Sequence, residues 1–549
     1  MDRFRASMVL AAVGDAMGYK KGDWEFCAST SKILKDLEQI TGGRGILALD
    51  CSSWMVSDDT VEHLATAEGL MQAFSSGDAN VTLDDLMRSI ARETKRCAND
   101  FTARAPGKSE QRGIKLLQTN GCNWCAKPFD SRALGCGAAM RTACIGLLFS
   151  EPEQFHALIA VAVETCRLTK THPTGYLGGV CAAAFTAFAL QGVPVPMWGP
   201  LLLNEVLPTV TEYVLQPGQR HLKENEAALR KGAFRQKWEW FLEERGLVDG
   251  ALSPTFPPEY GPSQRDQFYA QCATMLDVNP SGKNPGSCGY DSVLIAYDAL
   301  LWVESQLGPH CDPSARWAEL CHHAVLHRGD NDSTGSIAGA WFGALHGFAG
   351  VPAKHHERIE YHGRCLAAGS ALAKIAAGGT KLSLDVGLLT REGELRESIG
   401  NHTISYAPSA AEEHKDEGER EVEEDEASDA FWASEGEVLD EERHVEEEPK
   451  ELSAAASLAA VPCDDDVGGM AVGIGQEPAS SCMTASMLAA PKSGKRAAVS
   501  AKGVVKRCGT SGCNRAANAS FPACCRTCVG SKGTRHGARC KTAEANATP

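Results

Sequence analysis

The apolar residues of this chain recur at helical rather than strand spacing, and they predict an all-α protein. Three observations carry that reading. Apolar positions three and four apart run through residues 4–18, TVEHLATAEGLMQAF and DSVLIAYDALLWVES. Two long runs of small and apolar residues, VCAAAFTAFALQG and GSIAGAWFGALHGF, have the composition of buried helices. No clear succession of alternating strands occurs.

Taken in order, the first helix places Phe4, Met8, Ala11 and Ala12 around an expected kink at GDAMG. GDWEF follows and holds Glu25, which by itself reads as a solvated loop residue. Ser57, Asp58, Asp59 and Thr60 open the next apolar-periodic helix. Arg104–Gly107 is a turn by its Pro-Gly pair. Cys122 and Cys125 form a lone CxxC with no second pair beside it, which is read as incidental. In RALGCGAAMR, Arg132, Ala133, Leu134, Gly135, Cys136, Gly137 and Ala138 let backbone approach a ligand as a helix begins. That suits a phosphate at a helix N-terminus, although close helix packing explains the same small residues.

Residues of about 153–169 form another amphipathic helix. His172, before a proline in THPTGYLGG, is partly exposed at the start of a buried helix. Residues of about 204–285 are more polar and aromatic, and SPTFPPEYGPSQRDQFY reads as a loop that rims a cleft. Ser287, Gly289, Tyr290 and Asp291 belong to a glycine-containing turn that enters a helix. A last helix of about 357–377 closes the unit.

The unit is organised around HRGDNDST, where Asp330 and Asp332 are followed by Ser333 and Thr334. Carboxylates two apart do not share a helix face, so they converge only across a loop that feeds a helix start. SDDT is a second corner of the same design. Each corner alone reads as a helix cap. Two of them, each backed by a helix of small residues, suggest one shared oxygen-lined centre for a hard cation such as Mg2+.

At 549 residues the chain is long enough for two or more units. No run of about eighteen uninterrupted apolar residues suggests a membrane span, and the N-terminus lacks a secretory cleavage pattern. Cysteines scattered without framework spacing suit a reducing compartment, the cytosol or the nucleus. The net charge of −16 is uneven. Between 411 and 449 stand 19 Asp or Glu, a composition of disorder. An Ala-, Ser- and Gly-rich linker follows, so 379–500 is read as linker and 501–549 as a separate module. From 491 to 541 there are 12 Lys or Arg and no Asp or Glu. Cys508, Cys513, Cys524, Cys525, Cys528, His536 and Cys540 cluster there. A segment this short needs a metal or disulfides, and zinc is the preferred reading. A basic module of this kind suits nucleic acid, an acidic protein or the chain's own acidic linker.

Residues 1 to about 378 resemble the ADP-ribosyl-acceptor hydrolases, and within them the ADP-ribosylarginine hydrolase branch. The resemblance rests on MVLAAVGDAMGY, GDWEF, VSDDTVEHLATAEGL, RAPG, GCGAAMR, HPTGYLG, RDQFY, IAYDA and GDNDSTGSIAGAWFGALHGF, in the family's order. It implies a compact orthogonal helical bundle of the ADP-ribosylglycohydrolase type, monomeric, with two Mg2+ in one cleft. By motif, the metal ligands are Ser57, Asp58, Asp59, Asp330, Asp332 and Ser333, and the catalytic carboxylates are Asp58, Asp59 and Asp332. The loop Arg132–Ala138 holds the diphosphate, and His172 with Ser287–Asp291 lines the ADP-ribose pocket. Glu25 stands where relatives carry a mobile acidic residue. Leu134-Gly135 replaces the usual Gly-Gly, and Tyr290 replaces a common His. The implied substrates are mono-ADP-ribosylated proteins, with ADP-ribose as product. Serine-linked ADP-ribose, O-acetyl-ADP-ribose, poly(ADP-ribose) and a non-catalytic scaffold remain the alternatives.

Overall fold

Two helices that meet backbone to backbone set the frame. In the computed structural model, residues 1–75, 81–248, 251–274, 284–308, 310–379 and 382–384 are described. The first helix, α1 (Asp2–Tyr19), runs unbroken through Gly14 and Gly18, against the expected kink. These glycines serve close approach rather than bending. A Cβ on Gly14 would lie 2.0 Å from the carbonyl oxygen of Gly335, and one on Gly18 would lie 2.4 Å from the amide of Asp332. Gly339 and Gly343 likewise lie on the backbone at Leu10 and Ala6. As numbers rise along α1 they fall along the partner, Asn331–His346, so the two run antiparallel. The end of one helix and the start of the other therefore coincide, and that junction carries the acidic residues.

After α1 come α2 (Thr30–Thr41), α3 (Asp58–Ser75), α4 (Leu83–Cys97), α5 (Lys108–Thr119), α6 (Ala143–Leu148), α7 (Phe155–Cys166) and α8 (Pro173–Gln191). Then follow α9 (Trp198–Leu201), α10 (Leu207–Val214), α11 (Leu222–Lys231), α12 (Ala233–Glu244), α13 (Pro262–Thr274) and α14 (Asp291–Gln306). The described helices end with α15 (Pro313–Ala324), α16 (Asn331–His346), α17 (Ala353–His356) and α18 (His362–Ala377). Two short parallel strands, β1 (Val81–Thr82) and β2 (Leu382–Ser383), pair with each other. The described residues are otherwise helices and their connections, in keeping with the helical bundle expected.

α8 is long and apolar enough to cross a membrane, yet almost all of it is buried inside the protein. Its weak amphipathicity follows from being covered on every side. Phe185 is the hub, with ring centroids 5.2 Å from Tyr297 and Trp341 and 5.3 Å from Trp198. Such aromatic clusters add stabilisation beyond area burial. The Pro-rich segment does not rim the cleft through Tyr260. That side chain is buried, and its hydroxyl donates to Asp298 at 2.5 Å while accepting from Arg245 at 2.8 Å. The Arg245–Asp298 ion pair, 2.6 Å apart, draws the segment inward, because a buried charge needs its partners.

Candidate active site

The acidic corners meet where α1, α3 and α16 converge. Asp58 and Asp59 occupy the first turn of α3. Asp330 precedes α16, and Asp332 sits in its first turn. Asp15, on the last turns of α1, ties the corners together. Its carboxylate accepts the Ser57 amide at 2.9 Å, the Thr60 amide at 3.0 Å and the Thr60 hydroxyl. Ser57 in turn caps Asp59, its hydroxyl accepting the Asp59 amide at 3.1 Å. All four corner aspartates are buried.

Burial raises every carboxyl in the cluster, and for all but Asp332 neighbouring acids add to it. Asp58, Asp59 and Asp330 are held well above the usual carboxylate range, by burial first and by neighbouring acids after it. Asp15 is raised to about 7 by burial and by Asp332. Glu25, in the loop over the cluster, is pushed up to about 11 by burial, Asp332 and Asp330. That loop is pinned by the Phe26 amide, which donates to the Gly329 carbonyl at 2.7 Å. The structure thus brings Glu25 and both corners into one electrostatic neighbourhood.

The expectation of two Mg2+ ions is corrected. Among the described residues, no group of three or more His, Cys, Asp or Glu side chains is disposed to hold a metal ion. Oxygens of Asp330 and Asp332 are turned to other partners. Asp332 lies close enough to Asp330 to raise its pKa. Asp330 also accepts the Cys136 thiol at 3.2 Å, and Asp332 accepts the Ser333 amide at 2.9 Å. The proposed zinc ligands Cys508, Cys513, Cys524, Cys525, Cys528, His536 and Cys540 lie outside the described residues.

A cleft of about 460 Å3 runs from this cluster to the glycine loop, within the range of roughly 300–1,000 Å3 common for small-molecule sites. Glu25, Asp58, Asp59, Asp330 and Ser333 line it together with Arg132, Leu134, Gly135, Cys136, Gly137 and Ser287. The loop enters a 3-10 turn, Cys136–Arg141, before α6. Several of its amides are already bonded: Ala133 to Asp130, Leu134 to Arg132 and Cys136 to the Ser287 carbonyl at 3.1 Å. The Gly289 amide returns to Leu134 at 2.8 Å. The loop and the 287–289 turn thereby brace each other.

Other sequence-chosen residues stand behind this wall. Among the described residues, Ser57, Asp332, His172, Ala133, Ala138, Gly289, Tyr290 and Asp291 do not line the cleft. His172 caps α8, its Nδ1 accepting the Thr174 amide at 3.1 Å, and burial lowers it to about 4. Asp291 accepts the Cys288 amide at 2.8 Å. Tyr290 donates to the Ala273 carbonyl at 3.3 Å. The 287–291 turn packs so closely on α8 that a Cβ on Gly289 would lie 2.1 Å from the Thr174 carbonyl oxygen.

Sequence reasoning missed Asp15, Glu110 and Lys170. Asp15 lay inside an apolar run, where a lone carboxylate signals a buried partner. Glu110 stands in the first turn of α5, where an acid is ordinary and gives no signal. Lys170, buried like Glu110, gives no signal until its partner is known. The lining residues Phe26, Lys108 and Arg112 were also unmarked.

An acidic cluster and a braced glycine loop thus line one cleft of a helical bundle. The chain belongs to the ADP-ribosylglycohydrolase family, whose profile matches residues 1–385. It is 34% identical over 379 residues to "ADP-ribosylhydrolase ARH1" of Dictyostelium discoideum, covering 66% of this chain and 91% of that protein. It is 31% identical over 343 residues to an ADP-ribosyl glycohydrolase, L444, of Acanthamoeba polyphaga mimivirus, covering 61% of this chain and 62% of the viral protein. A solved "ADP-ribosylglycohydrolase-related protein complex" is 18% identical, with a TM-score of 0.40 over 68% of this chain and 98% of its own. Membership makes ADP-ribose conjugates the substrate class.

Proposed function

We propose that this protein hydrolyses the N-glycosidic bond between ADP-ribose and an arginine guanidinium on modified proteins, releasing ADP-ribose and restoring arginine. The observation that carries the reading is that Asp58, Asp59 and Asp330, with Asp332 next to them, share one cleft with the glycine loop. The similarity to the Dictyostelium ADP-ribosylhydrolase supports it.

In this reading the diphosphate lies along Gly135–Gly137, and the distal ribose reaches the carboxylates. Water attacks C1″ as the bond to the guanidine nitrogen breaks, through an oxocarbenium-like transition state. Asp59 or Asp332 takes the water proton, and a protonated neighbour in the same cluster supplies one to the leaving guanidine. Groups of raised pKa suit the second role, because they keep a proton where an isolated carboxylate would not. Buried negative charge beside C1″ also favours the developing cation.

The direct test compares ADP-ribose release from arginine-modified and serine-modified protein. Release from the arginine conjugate is expected. Release from serine alone would overturn the assignment of linkage.

A further inference from the structure

The glycine loop rests on a buried ion pair. Lys170 Nζ stands 2.6 Å from Glu110 Oε1, with both side chains 3% exposed. Ser109 binds both, donating to Glu110 Oε2 at 3.1 Å and accepting from Lys170. A Cβ on Gly135 would lie 3.3 Å from Lys170 Nζ, and one on Gly137 would lie 2.1 Å from Glu110 Oε1. Gly107, at the start of α5, presses on Glu110 in the same way, at 2.5 Å from Oε2. Three separate stretches of the chain thus close around one cation and one anion. The closure is incomplete on a single side, because Lys170 and Glu110 both reach the lining of the cleft.

An ammonium carries three donors. Ser109 takes one of them, and Glu110 stands at ion-pair distance. The Nζ itself lies beside Gly135, where the reading of the loop places the diphosphate. A charge this deeply desolvated interacts strongly with an anion brought next to it. We propose that Lys170 is the counter-cation for the diphosphate of the ADP-ribosyl group, and that Glu110 keeps its place when the cleft is empty. Lys170 is then a binding residue that selects for the anionic middle of the substrate, and Glu110 tempers its pull so that product leaves. This inference rests on the proposed use of the loop.

The test is calorimetric titration of the full chain with ADP-ribose, and with adenosine as a probe lacking phosphate. K170M should weaken ADP-ribose binding by about tenfold or more and leave adenosine binding unchanged, while K170R stays near wild type. E110Q keeps an acceptor for Lys170 but removes the opposing charge, so it should tighten ADP-ribose binding. E110Q/K170M, which leaves no unpaired buried charge, should behave like K170M and guards against misfolding of the single variant. Binding by K170M within about twofold of wild type overturns the inference, since a lost charge-assisted contact costs more than that. So does E110Q weakening binding as much as K170M, which would make the pair a prop for the loop. Failure of the wild type to bind ADP-ribose would instead sink the underlying reading of the cleft.

Discussion

Asp15 accepts the amide of Ser57 at 2.9 Å, across 42 residues of sequence. This bond fastens the end of α1 to the start of α3. Asp15→Ala would strand the amides of Ser57 and Thr60, at about 1–3 kcal/mol for each buried donor. Asp15→Asn keeps one acceptor, so the protein should fold, with turnover down by about tenfold because the corner shifts. Thermal melting together with initial rates on an arginine conjugate checks both. Full activity in Asp15→Ala would show that the tie is dispensable.

Asp332→Asn separates stability from function. Its Oδ1 still accepts the Ser333 amide, and the repulsion with Asp59 and Asp15 falls. The variant should melt at or above the wild-type Tm while losing about 100-fold or more in turnover. Asp58→Asn should lose activity similarly. Near wild-type rates in either variant would remove that residue from the catalytic set.

The crossing of α1 and α16 admits no side chain at Gly14, where a Cβ would stand 2.0 Å from the Gly335 carbonyl oxygen. Gly14→Ala should cost about 3 kcal/mol, since the obstacle is backbone and overpacking cannot relax into a rotamer change. A lowered urea midpoint at unchanged slope is the expected result. An unaltered midpoint would mean that the helices are not in backbone contact.

His355 gives a pH dependence of known sign. Its Nδ1 accepts the Trp317 indole N–H at 2.9 Å, and its Nε2 faces the Ile46 carbonyl at 3.1 Å, an arrangement for the neutral ring. Burial lowers its pKa to about 4. The folded value lies below the unfolded one of about 6.5. Its stabilisation is therefore complete above that pH and is lost as pH falls toward about 4. The stability difference between wild type and His355→Gln should shrink by roughly 2–3 kcal/mol between pH 7 and pH 4. An NMR titration that puts His355 near 6.5 would contradict it.

Much of this was legible along the chain, for identifiable reasons. The two acidic corners were visible because caps and carboxylates must be adjacent in sequence to open a helix. The glycine loop was visible because close approach of backbone demands small residues. The kink at GDAMG was misread because spacing shows that a glycine is required, not whether it bends a helix or lets another touch it. The magnesium expectation failed because a row of carboxylates says nothing of where their oxygens point. Asp330 spends one on the Cys136 thiol, and Asp332 one on the Ser333 amide.

By itself, then, the sequence determined the helical class, the order of the motifs and the acidic character of the centre, since all of these follow from local spacing. Tertiary structure alone decided which acids meet, which amides of the loop are already occupied, and that Lys170 and Glu110 pair beneath it. The physical reason is that burial and pairing are properties of neighbours brought from afar. Lys170 and Glu110 are 60 positions apart, and only the packing of α5 on the turn between α7 and α8 makes them one buried pair.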